Sequence, residues 1–150
     1  MKASNENSLK VNYFFNYKIK FPFNINIFKE KVEFIINNIK TDELITLNEV
    51  NISFCSNDEI VKINKKYLSH DYSTDIITFA YTEKYYTDSD VIISLESVKQ
   101  NAARYGISFR KELFRVIIHG ILHICGYNDS NKNEKVLMRK KENYYLKYLK

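Results

Sequence analysis

Between Ser108 and Gly126 the chain reads SFRKELFRVIIHGILHICG, a stretch so rich in apolar residues that it folds as a helix set into a core. Ser108 is placed to cap its start, and Gly126 to stop it in a left-handed turn that costs a residue without Cβ little. On that helix His119 and His123 project about 40° apart and ~6 Å along the axis, so both imidazoles reach one ion. Glu112 and Arg115 fall on the same face, seven and four residues before His119. They are candidates to support the ligands or to contact a substrate phosphate, or are simply solvent-exposed helix residues. Past Gly126, the segment Tyr127–Asn128–Asp129 folds back and brings the Asp129 carboxylate to a third corner. Three protein ligands leave an open coordination position, as in catalytic rather than structural zinc sites. Cys125 lies about 200° round the helix from His123 and points into the core instead. A lone histidine in such a helix is more often a core residue. The pair, the glycine and the carboxylate together turn the reading to metal.

The rest of the chain bounds what that site serves. At 150 residues and 17.9 kDa it has the length of one domain, 1–150. With 45% hydrophobic and 15% aromatic residues it is far from the composition of disordered chains. No run approaches the ~20 apolar residues of a membrane span, and MKASNENSLK lacks the apolar stretch of a secretion signal, so the expected location is the cytoplasm with no membrane association. Cys55 and Cys125 each sit in an apolar stretch, as reduced core thiols do. The net charge of +5 is localised: residues 131–150 hold seven basic side chains against two acidic ones, and the first 130 residues are formally neutral. Arg139, Lys140 and Lys141 in that segment are candidate contacts for a polyanion such as RNA. The plainer alternative is a solvated helix face.

Periodicity predicts strands over 9–19, 50–56, 74–82 and 89–95, and helices over 25–40, 57–68, 96–105 and 108–125, with a last one over roughly 131–149. Pro22 breaks the first strand, Ser56 or Asn57 caps the second helix, and Gly106 ends the third. The expected fold is α+β: a single domain with a mixed sheet of about four strands covered by about five helices, and the metal site at the end of a core helix.

The spacing H-x3-H-x2-G-x2-D is close to the metzincin protease signature, in which a glutamate follows the first histidine and acts as general base. Gly120 stands there in this chain, which disfavours a peptidase.

HGILHICGYND (119–129) instead resembles the motif H-G-x-L-H-x-x-G-Y-D-H of the YbeY family of metal-dependent endoribonucleases, matching at His119, Gly120, Leu122, His123, Gly126 and Tyr127. INKKYLSHDYSTDIITF (63–79) resembles a second family stretch, matching at Asn64, Tyr67, Asp71, Thr74, Asp75 and Phe79. The order of elements agrees, including SDVIIS before a helix ending in RYG and the pair Glu112–Leu113 at the histidine helix. The resemblance implies a single-strand-specific metal-dependent endoribonuclease of ribosomal RNA maturation and ribosome quality control. It further implies one Zn²⁺ on His119, His123 and Asp129, and ribosomal RNA and the small ribosomal subunit as partners; the candidate catalytic set is Asp75 and Glu112, at matched positions, with Arg115 added from its place on the histidine face. Alternatives from other classes are a metal-containing ribosome assembly factor with little catalysis and, further off, a zinc metallopeptidase. Two positions depart from the family. Its third histidine falls on Asp129, which lowers the charge of the site by one. Its phosphate-contacting arginine falls on Leu68, for which Arg115 is the candidate replacement. His70, at a family lysine position, is the alternative third imidazole.

Overall fold

A computed structural model describes residues 8–16, 20–70 and 74–150. The expected match at Asp71 and the end of the first expected strand, 17–19, lie outside the described residues. The elements run β1 (Lys10–Phe15), α1 (Ile25–Asp42), β2 (Leu47–Cys55), α2 (Asn57–Leu68), β3 (Ile76–Thr82), β4 (Thr87–Ser94), α3 (Leu95–Tyr105), α4 (Phe109–Ile124) and α5 (Lys132–Leu146), closed by a 3-10 turn at Lys147–Leu149. The strands form one sheet in the order β1-β2-β4-β3. β1 and β4 pair parallel to β2, while β3 runs antiparallel to β4, so the sheet is mixed. This is the expected α+β architecture. β2 and β4 begin two or three residues earlier than their apolar runs, because Leu47 to Glu49 and Thr87 to Ser89 extend the ladder through a register irregularity.

Alternation in β2 sends Val50, Ile52 and Phe54 to one face, where they meet Phe28, Val32, Ile35, Ile36 and Ile39 of α1 and the apolar side of α4. α4 is the centre of this core: Leu113, Phe114, Ile117, Ile118, Ile121 and Leu122 are all buried. Each such side chain contributes roughly 1.5–3 kcal/mol. A smaller cluster of Cys55, Ile60 and Ile77 holds α2 on the opposite face of the sheet. Among the described residues no helix is long and apolar enough to cross a membrane.

Two local devices set where α4 presents its histidines. Near its middle the helix crosses β3 so closely that a Cβ on Gly120 would lie 2.5 Å from Ile76 Cδ1 and 3.2 Å from Thr78 Cγ2. Any side chain there would have to displace the ends of Ile76 and Thr78, which gives the glycine a packing reason. At its end, Gly126 takes φ +103°, the Tyr127 N–H donates to the Leu122 carbonyl at 3.0 Å and the Gly126 N–H to that of His123 at 3.0 Å. This left-handed closure turns the chain back over the helix end.

Candidate metal centre

His119 and His123 stand one turn apart on α4 with their Nε2 atoms 2.9 Å from each other. Asp129, delivered by the turn after Gly126, places Oδ2 at 3.2 Å from His119 Nε2 and 3.4 Å from His123 Nε2. Two ligands about 2.0–2.1 Å from one tetrahedral ion lie about 3.4 Å apart, so the three atoms have the spacing of a shared ion's ligands. Each residue of the trio offers one such atom, all within 4.8 Å of one another.

The other ring nitrogens decide the tautomers. His123 Nδ1 lies 2.9 Å from the Tyr127 carbonyl oxygen, which only accepts, so the proton sits on Nδ1 and Nε2 carries a lone pair toward the trio. His119 Nδ1 lies 2.8 Å from Glu142 Oε2. Burial works against the ionised form of Glu142, but hydrogen bonds from His119 and Arg115 outweigh it and hold the carboxyl below its ordinary range. Glu142 therefore accepts, and His119 Nε2 is free to ligate as well. A carboxylate behind a ligating histidine fixes both its tautomer and its orientation.

Glu142 is itself held. Arg115 donates from NH1 to Glu142 Oε1 at 3.0 Å and from Nε to Glu112 Oε1 at 2.7 Å, and the Glu112 side chain is fully buried. Glu112, Arg115, Glu142 and His119 thus form one hydrogen-bonded file ending at the trio. Three carboxyl groups, Glu112, Glu142 and Asp129, face two guanidinium groups, Arg115 and, at the rim, Arg139 with Nε 3.9 Å from Glu142 Oε1, so acidic groups outnumber basic ones beside the trio. The donor set of two imidazoles and a carboxylate fits a divalent ion.

In front of the trio lies a cleft of about 500 Å³, lined by Asn64, Leu68 and His70 at the end of α2, by Thr74 and Asp75, and by the start of β3. Of the expected catalytic residues, Asp75 lines this cleft, with Oδ2 accepting from Asn101 Nδ2 at 3.3 Å. Glu112 and Arg115 do not: the guanidinium lies between two carboxylates behind His119. His70 lines the cleft but does not join the three residues whose donor atoms converge, and Leu68 lines it as an apolar side chain. Cys125 packs against the core, and burial pushes its thiol up to about 12. The C-terminal cations separate. Arg139 and Lys140 lie with Lys132 and Lys135 along an exposed groove of α5, whereas Lys141 donates to Glu43 Oε1 at 2.8 Å.

Glu142 escaped the sequence reading. A signal was present: it shares the buried stripe of α5 with Met138 and Tyr145, and an acid on such a stripe has a partner.

The comparisons with known proteins agree with this geometry. The family model described as Endoribonuclease YbeY matches residues 14–150. Endoribonuclease YbeY of Bacteroides thetaiotaomicron is 46% identical over 97 residues, covering 65% of this chain and 71% of that protein. Endoribonuclease YbeY of Flavobacterium psychrophilum is 38% identical over 135 residues, covering 89% and 93%. The solution structure of TM1509 from Thermotoga maritima is similar over 94% of this chain and 88% of that one, with a TM-score of 0.61 and 28% identity. On its sequence, its fold and its histidine helix, the chain belongs to the endoribonuclease YbeY family.

Proposed function

We propose that this chain is a single-strand-specific, metal-dependent endoribonuclease of ribosomal RNA maturation, working in the cytoplasm on RNA of the small ribosomal subunit. The observation that carries the reading is the convergence of His119 Nε2, His123 Nε2 and Asp129 Oδ2, with both Nδ1 atoms engaged from behind, at the head of an open cleft. Zinc suits two imidazoles and a carboxylate better than magnesium or calcium, which prefer oxygen. When bound, such an ion polarises a phosphodiester and makes an attacking water more acidic.

The protein's own residues do the remainder. Glu142 and the Tyr127 carbonyl keep the imidazoles in the ligating tautomer. Glu112 and Arg115 act through His119 by holding Glu142. Asp75, across the cleft and steadied by Asn101, is placed to accept a hydrogen bond or a proton from a group bound there. Arg139 and Lys140, with Lys132 and Lys135, offer charge to the phosphate backbone along α5.

The test is cleavage of a single-stranded RNA by the purified protein with metal content measured on the same sample. Cleavage that a chelator abolishes and zinc restores, and that His123→Ala lacks, is the expected result. Cleavage untouched by the chelator or by His123→Ala would overturn the reading.

A further inference from the structure

The second face of the sheet is only partly covered. α2 packs there on Ile77 and Cys55 through Ile60, and beside it runs a groove of about 830 Å³. Its walls are aromatic: Phe14 on β1, Tyr67 on α2, and Phe79 and Tyr81 on β3. Phe14, Tyr67 and Tyr81 are 49%, 60% and 52% exposed. Its floor is polar and fixed. Register puts Asn12, Asn51, Asp90 and Phe79 in one row across the four strands. Asn12 Nδ2 donates to Asn51 Oδ1 at 2.9 Å, Asn51 Nδ2 to Asp90 Oδ1 at 3.1 Å, and the Tyr81 hydroxyl to Asp90 Oδ2 at 3.1 Å. Each Asp90 oxygen keeps a lone pair for a further donor.

The groove adjoins the metal cleft. On α2, Asn64 and Leu68 line the cleft while their neighbours Ile63 and Tyr67 line the groove; on β3, Ile76 to Thr78 line the cleft while Phe79 and Tyr81 line the groove. α2, which lines both, carries Lys62, Lys65 and Lys66 exposed on its outer side, with Lys66 Nζ 5.2 Å from the Tyr67 ring centroid. Flat rings flanking a fixed acceptor, with the Lys66 ammonium beside one ring, match the parts of a single nucleotide: a ring face, an exocyclic amino group and a phosphate.

We propose that this groove receives an unpaired base of the RNA whose backbone lies in the metal cleft, stacked on Tyr67 and Tyr81 with its amino group donating to Asp90. The inference rests on the endoribonuclease reading and adds a specificity site to it: adenine, cytosine or guanine is favoured there over uracil, which has no amino group.

The experiment titrates the metal-loaded protein into single-stranded RNA decamers that carry 2-aminopurine at successive positions, beside decamers with one abasic nucleotide at each position. Quenching at one position is expected, with an abasic site there weakening binding about tenfold, the scale of one base–aromatic stack. Uracil at that position should bind several-fold more weakly than cytosine. In Tyr67→Ala/Tyr81→Ala the quenching and the abasic penalty should both vanish. Both tyrosines are more than half exposed, so their removal leaves the core alone, and the abasic series on the unaltered protein stands even if that variant folds poorly. Absence of quenching at every position, or an abasic penalty of equal size in the variant, would overturn the proposal and return the groove to a protein partner. Quenching retained without chelator-sensitive cleavage would instead overturn the nuclease reading and leave the groove standing.

Discussion

Glu112, Arg115 and Glu142 stand in file behind His119, so a change at any one of them reaches the imidazole through the others. The ligands come first. His119→Ala and His123→Ala should each abolish stoichiometric metal in the desalted protein, whereas Asp129→His should retain it, all read by elemental analysis. Behind them, Glu142→Gln removes the carboxylate that orients His119 and should weaken metal binding about 10–100-fold in a chelator competition. Arg115→Ala leaves the fully buried Glu112 without its cation and should cost roughly 3 kcal/mol of stability, together with part of the metal affinity. Arg115→Lys should recover only some of both, because an ammonium cannot bridge two carboxylates with the fork of a guanidinium. A direct phosphate contact by Arg115 makes a different signature: slower cleavage with metal affinity and stability unchanged. The convergence of His119, His123 and Asp129 was legible from spacing, because residues four apart on a helix meet and a glycine turns the chain. Glu142 was not, because no spacing within α4 reports which residue of α5 lies across from His119. The packing of the two helices decides it.

At the scale of the elements, α5 does two jobs with its cations. Lys141 points inward to Glu43, the residue at the end of α1, which also accepts from the Tyr127 and Tyr145 hydroxyls at 2.6 and 3.2 Å. One carboxylate thus ties α1, α5 and the metal-bearing turn together. Burial opposes its ionisation, but hydrogen bonds from Lys141 and Tyr127 outweigh it and hold the Glu43 carboxyl below its ordinary value of 4.5. A group depressed in the fold stabilises it above the unfolded value, and that contribution is lost as pH falls through the folded one. Glu43→Gln should therefore lower stability near neutral pH by about 1–3 kcal/mol, the worth of hydrogen bonds to a charged group. The gap to the unaltered protein should close as the pH drops well below 4.5, as followed by urea unfolding. The outward cations should behave otherwise. Neutralising Arg139 and Lys140 should reduce the salt slope of RNA binding by about 0.7 for each single-strand phosphate left unneutralised, while Lys141→Gln should cost stability and leave the slope nearly intact. Element by element, much of this architecture was readable. α2 spans the expected 57–68, and Ser108 and Gly106 cap where a serine oxygen and a left-handed turn were expected. The starts of β2 and β4 were not readable, since the Asn48 amide and the Glu49 backbone N–H both donate to Asp88 Oδ1 across the sheet and so extend strands that composition alone ends sooner.

The candidate metal site joins separate elements of the molecule. His119 and His123 ride on α4, whose apolar side is the centre of the main core. Asp129 belongs to the connection after it, and Glu142 to α5, which packs along α4 and reaches the core with Met138, Tyr145 and Leu146. An ion held by the trio would fasten the connection after α4 to that helix, and would do so only in the folded chain, where the three donor atoms converge. Binding to the native state alone adds RT ln(1 + [L]/Kd), about 2.7 kcal/mol at a hundredfold excess over Kd. For a domain of this size each kcal/mol moves the melting midpoint by about 2–4 °C, so saturating zinc should raise it by roughly 5–10 °C over the chelated protein. Ions captured by histidine or cysteine in the unfolded chain would reduce that figure. The variants separate a specific ion from a general effect of salt: His123→Ala should melt at one temperature with or without zinc, and Asp129→His should keep the shift. Calorimetry across a zinc series is the measurement. A shift of equal size in His123→Ala would mean that the ion stabilises the fold from somewhere other than the head of α4.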